Sequence, residues 1–307
     1  MSALPKPSGR LEGFPGVSAL SVRPWAPAPV GAPAPASVPA PAAPQASFGA
    51  RRAPGRWGMS WLWAWPFPLA LLALWQLSSL QGWVPEQVLP PPATVFQTFA
   101  DMARSGELWE HLRISMVRVF AGFGMGLSAG LLLGGAMGLS PTFRAYVFPT
   151  FKAFSQVPVI GWLPLLMLWV GIDEGLKFLL IAKAALVPVA INTCQGIQGV
   201  PHRFIEVARV YGFTRWQMLR KVVFPAATAP IWNGVRYGLT HAWLALVVVE
   251  LLASSEGVGF LIVYGRQLFQ LDVVLAAVLA VGLVGLVLDK LLARSEAWLL
   301  RWRKPGL

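Results

Sequence analysis

The sequence predicts an all-α membrane protein with six spanning helices, and three observations carry that prediction. Of its 307 residues, 56% are hydrophobic and only 12% charged, too little charge to cover a water-soluble globule of this size. Six stretches, about 60–80, 117–139, 147–171, 176–195, 230–253 and 272–292, approach the roughly 20 apolar residues that a span requires. The basic residues, finally, fall beside these stretches in an alternating pattern. A net charge of +12 would suggest nucleic-acid binding in a soluble protein; here its placement reads as topology, and no nucleic-acid partner is expected.

Taken in order, residues 1–56 form an Ala/Pro-rich extension that can neither sustain a helix nor bury a core, and they are expected to be disordered. No short apolar run opens the chain as a signal peptide would; the first begins near Trp61. Arg51 and Arg52 are read as topology determinants of the positive-inside kind rather than as a twin-arginine signal. Between the first two spans, Pro90 to about Leu112 sets Val95, Phe99, Met102 and Leu108 among acidic residues, the pattern of an amphipathic helix on the outer surface. It either contacts an extracytoplasmic partner or simply covers the bundle.

The second span carries Gly122, Gly126, Gly130, Gly134 and Gly138, a ridge without side chains that another helix can approach closely. The partner is either a helix of the same subunit or a second copy. The third span contains Pro149, Pro158 and Pro164 and is expected to be kinked or interrupted. Orientation follows from the cations. Arg51, Arg52 and Arg56 precede span one, Arg144 and Lys152 adjoin the turn after span two, Arg203, Arg209, Arg215, Arg220 and Lys221 follow span four, and Lys290, Arg294, Arg301, Arg303 and Lys304 follow span six. All share one side if both termini are cytoplasmic.

Between spans four and five runs GVPHRFIEVARVYGFTRWQMLRKVVFPAATAP, far longer than a turn needs. Pro201 suits a helix start, Phe204, Val207, Ala208 and Tyr211 recur at helical spacing, and Gly212 can supply a left-handed stop. Thr214 and Gln217 form a capping box for a second short helix, expected to run to Phe224 and to be closed by Pro225. Composition leaves three readings: a positive-inside loop, an element resting on lipid headgroups, or a docking element for a cytoplasmic partner.

Glu206-Val207-Ala208, three residues, Gly212, nine residues, Val222, one residue and Phe224-Pro225 resemble the Glu-Ala-Ala loop of binding-protein-dependent ABC importer permeases. Val207, Val222 and Phe224 depart from the family's Ala, Ile and Leu, with spacing preserved. The resemblance runs from about Trp75 to Trp302. Through VLPPPATVFQTF, GELWEHLRISMVRVFAGF, VPVIGWLPLLMLWVGI, PVAINTCQGI and RYGLTHAWLALVVVELLASSEGVGFLI, the chain is most similar to the aliphatic sulfonate, taurine and nitrate permease group. It implies the six-helix type I ABC importer transmembrane domain, of the MetI-like kind, over 57–307, with a coupling loop at about 200–226. It further implies an inner-membrane homodimer, two cytoplasmic ATPase subunits that bind ATP and Mg, and a periplasmic or lipid-anchored solute-binding protein. The permease itself would hold no cofactor and no catalytic residue, and the absence of any GxxxxGK[ST] motif fits that division. Glu206, Val207, Ala208, Gly212, Thr214 and Pro225 would then couple the membrane helices to the ATPase.

Ionisable and polar groups inside spans are costly and mark candidate pathway residues: Lys183 and Asn192 in span four, His241 and Glu250 in span five. The plainer alternative is internal pairing, and Arg236 is placed at the cytoplasmic interface. Cys194 is alone, so no intramolecular disulfide exists, and His111, His202 and His241 are too scattered for a metal site. A small anion, aliphatic sulfonate or taurine ahead of nitrate or bicarbonate, is the expected solute. A secondary transporter should show internal repeats, and a membrane enzyme a convergent set of polar groups. Neither pattern is found.

Overall fold

The computed structural model describes residues 65–301, all within one compact unit. The 1–56 extension, the start of the first span at residue 60 and the cations Arg51, Arg52, Arg56, Arg303 and Lys304 lie outside the described residues.

Helices account for nearly all of the described chain. An apolar helix α1 (Pro66–Leu80) is followed by α2 (Pro92–Ser105), which starts on a proline whose fixed φ suits the first turn and stops at Gly106, at φ +90°. Helix α3 (Glu107–Leu139) begins there, ten residues before the expected span, with Glu107 and Glu110 complementing its N-terminal dipole. At 33 residues it is about 50 Å long and overreaches the hydrocarbon core. Helix α2 lays Val95 and Met102 against Leu108, Val258, Leu261 and Ala277, and Thr98 donates to Asp272 at 2.8 Å, so the amphipathic segment covers the bundle.

The proline-rich third span is two helices, α4 (Pro141–Gln156) and α5 (Val159–Val170), bent by 94° at Val157-Pro158. Only Pro158 breaks the chain; Pro149 and Pro164 sit within helices. Helix α6 (Glu174–Gln198) occupies the centre, with α3 and the later helix α9 (Phe224–Ala253) on either side. Helix α10 (Val258–Gln267) and helix α11 (Leu271–Leu299) complete the bundle.

Among the described residues, α3, the stretch that contains α9, and α11 are each long and apolar enough to cross a bilayer, and the α4–α5 pair makes a fourth candidate. Helix α6, at 25 residues, carries Lys183, Asn192 and Gln195 yet buries Leu180, Ile181, Ala185 and Val189 completely among its neighbours. Exposed Leu69, Leu71, Leu74, Leu286, Val287 and Leu291 on α1 and α11 form apolar surface that water would penalise and lipid would not.

The glycine ridge of α3 meets α6 of the same chain. A Cβ on Gly130 would lie 2.8 Å from Val189 Cβ, and one on Gly138 2.8 Å from Ile197 Cβ; at Gly126 and Gly134 it would strike the carbonyl oxygens of Ala182 and Ala190. The ridge is therefore packing within one subunit.

Candidate functional site: the loop, the cavity and the buried ion pair

The loop after α6 folds largely as its residues dictate. Helix α7 (His202–Val210) follows Pro201, which is the capping residue rather than the first helical one. Gly212 stands at φ +68°, its amide donating to Arg209 O at 2.9 Å while Phe213 N donates to Ala208 O at 3.0 Å. That is a Schellman closure, which needs a left-handed residue at this position. Thr214 Oγ1 accepts from Gln217 N at 3.3 Å and Gln217 Oε1 accepts from Thr214 N at 2.9 Å, completing the reciprocal capping box.

The second loop helix requires a correction. Helix α8 (Arg215–Met218) passes through a π-turn (Leu219–Val223) directly into α9, so Pro225 does not close it. Phe224 N donates to Leu219 O, five residues back. The widened turn makes room for the ring and missing amide of Pro225, which would otherwise collide with the carbonyl four residues earlier. Helix α8 is thus continuous with α9 through the π-turn.

Ala208 turns inward at 4% exposure, whereas Val207, Val210 and Tyr211 are 56%, 87% and 77% exposed. Glu206 is exposed and makes no side-chain hydrogen bond or ion pair among the described residues. Between the loop, the start of α9 and Leu300 lies a cavity of about 1200 Å³ whose walls include Phe204, Ala208, Phe213, Lys221 and Pro225. A cluster of Ile197, Val200, Val223 and Ala227 anchors the loop to the bundle.

Three of the four expected pathway residues meet in one place. Lys183, Asn192 and His241 all line a cavity of about 530 Å³ between the α4–α5 break, α6 and α9. Lys183 Nζ donates to the carbonyl of Val157 at the break and stands 5.4 Å from the Phe154 ring centroid and 5.9 Å from that of Trp162. His241 Nδ1 lies 2.8 Å from Tyr237 O, which can only accept, so this nitrogen donates. Asn192 Nδ2 donates to Pro188 O at 2.8 Å.

Glu250 is elsewhere. It is 1% exposed and accepts from Ser115 Oγ at 2.8 Å, Arg118 Nη1 at 3.0 Å and Gly259 N at 3.0 Å. Arg118, 3% exposed, also forks onto Glu174 at 2.6 and 2.8 Å and donates to Ser254 Oγ and Glu256 O. This network joins α3, α6, α9 and the 254–257 turn, and Gly257 N adds a bond to His111 Nδ1 at 3.0 Å. Sequence reasoning passed over Arg118, although an arginine inside an apolar run is the signal that exposed Lys183. Arg236 pairs with Asp289 at 2.8 Å and Glu296 at 3.2 Å, tying α9 to α11. Among the described residues, no group of three or more His, Cys, Asp and Glu side chains could hold a metal ion.

Comparison with known proteins gives this arrangement its family. The sequence profile described as "Binding-protein-dependent transport system inner membrane component" matches residues 126–301. The chain is 41% identical, over 82% of its length and 92% of the relative's, to the "Putative aliphatic sulfonates transport permease protein" of Bacillus subtilis (strain 168). It is 32% identical, over 78% of its length and 93% of the relative's, to the taurine transport system permease protein of Escherichia coli (strain K12). An inward-facing structure of the MetNI methionine ABC transporter aligns with a TM-score of 0.45 at 22% identity, covering 62% of this chain and 94% of that one. The chain belongs to the family of inner-membrane components of binding-protein-dependent transport systems.

Proposed function

We propose that the chain, as the permease subunit of an ABC importer, forms the translocation path for a small aliphatic sulfonate and is driven by a separate ATPase through residues 201–225. The observation that carries this reading is the continuity of α8 with α9: a displacement of α8, which the Gly212 turn joins to α7, reaches a cavity-lining helix without a break in the helix. Exposed Val207, Val210 and Tyr211 offer apolar contact to the ATPase, and unpaired Glu206 offers it a carboxylate. Gly212 reverses the chain behind them, Thr214 caps the next turn, and Pro225 sets the π-turn through which motion passes.

Two copies assemble around one path, both termini lie in the cytoplasm, and a solute-binding protein delivers solute at the opposite face. Transport is the role of this chain, and ATP chemistry belongs to its partner. Sulfonate as solute rests on the similarity to the two named relatives and on the cation in the cavity. The test is co-purification of the tagged chain with an ATPase from its source cells, followed by ATP hydrolysis in nanodiscs. Hydrolysis rises with sulfonate-loaded binding protein, and Val207→Glu abolishes the rise; an unaltered response in that variant refutes docking through α7.

A further inference from the structure

The cavity at the α4–α5 break has an uneven chemistry. Lys183, the cation on its wall, is nine residues into α6, about 14 Å from the first residue of a helix roughly 37 Å long. One of the three ammonium protons goes to Val157 O, a carbonyl that the helix break leaves without its usual partner, and two stay available to an anion. The Phe154 and Trp162 rings flank the ammonium without neutralising it. Besides Lys183, the polar side chains on the wall are those of Ser155, Asn192 and His241; the rest is mostly aliphatic, with Ile160, Leu163, Leu244 and Val248 prominent, and no Asp or Glu lines the cavity.

We propose that this cavity is a discrete solute site that takes an amphiphilic monoanion, its head on Lys183 and its alkyl tail between α5 and α9, and that it discriminates against solutes bearing a second, cationic group. The inference rests on the importer reading and deepens it. A wall without a carboxylate has no anionic partner for an ammonium, which would meet like charge near Lys183 and lose water among the aliphatic side chains. Each methylene buried along the wall adds to affinity. Taurine and 1-propanesulfonate are nearly isosteric and differ at the group that matters: ammonium in one, methyl in the other. A volume of about 530 Å³ is ample for either and for longer chains.

The experiment is equilibrium binding to the permease–ATPase complex in nanodiscs without the binding protein, empty nanodiscs serving as the blank, with taurine and the linear 1-alkanesulfonates from ethane to hexane. The expected result is affinity rising roughly fourfold per methylene, taurine binding at least tenfold more weakly than 1-propanesulfonate, Lys183→Met losing at least tenfold for every sulfonate, and Lys183→Arg keeping affinity within about threefold. Taurine equal to 1-propanesulfonate, or a flat chain-length series, overturns the proposal on the wild-type complex alone, whatever the folding of the variants. ATP-driven uptake in the same preparation separates the two readings: sulfonate uptake without binding of this pattern sinks the site and spares the importer, whereas no ATP-driven uptake of any solute sinks the importer.

Discussion

Arg118 and Glu250 form the most deeply buried charge pair among the described residues, and their energetics are set by what would be left behind if one were removed. Arg118→Leu strands Glu250 with only Ser115 and Gly259 as partners and is expected to cost about 3–5 kcal/mol, the range for breaking a buried pair. Glu250→Gln keeps an acceptor for Gly259 and Ser115 and should cost clearly less. Thermal melting in detergent ranks the two, and equal losses would show that the charge itself is immaterial. Lys183, Asn192 and His241 were legible because polar residues stand out in apolar runs, and they converge on one cavity. Glu250 stood out for the same reason, but its partner lies 132 residues away in sequence, a separation that no local pattern reports. Candidate residues were thus readable, whereas their grouping required the fold.

Helices here are positioned by what they omit. The α3 ridge reaches α6 because five glycines lack Cβ atoms, so Gly126→Leu, directed at the Ala182 carbonyl and Ala185, should abolish a monodisperse peak in size-exclusion chromatography. Gly124→Ala, with nothing within 4 Å of the added carbon, should leave the melting temperature unchanged or slightly raised. Failure of both variants alike would mean that α3 flexibility, rather than close approach, explains the glycines. In the loop, Gly212 is also surrounded by open space, and its constraint is φ alone. Gly212→Asn should keep more of the ratio of solute moved to ATP hydrolysed than Gly212→Val, since asparagine tolerates the left-handed region and a β-branched residue does not. The spacing of caps and glycines made α7 and the capping box readable beforehand. The π-turn was not readable, because Pro225 reads as a stop whether the chain ends a helix there or widens one turn and continues.

Across the molecule, six hydrophobic stretches correspond to α1, α3, the α4–α5 pair, α6, α9 and α11, with boundaries displaced where amphipathic segments extend a helix beyond its apolar part. The proposed topology, drawn from the positive-inside pattern, puts residues 201–225 in the cytoplasm. Arg215→Cys should therefore react with a membrane-impermeant maleimide only after permeabilisation, and Arg104→Cys in spheroplasts without it; Cys194 is buried and gives little background. The reverse labelling order would invert the topology and detach the loop from any cytoplasmic ATPase. The family was legible from one spaced motif, because residue types at fixed spacing in one short segment can be read directly, while the cavity walls come from helices far apart in sequence. The most direct measurement is uptake of radiolabelled alkanesulfonate into proteoliposomes holding the permease and its ATPase, with binding protein outside and ATP supplied to the ATPase side. Accumulation that requires ATP and disappears with a hydrolysis-deficient ATPase is the predicted result; accumulation by the permease alone, driven by an ion gradient, would contradict it.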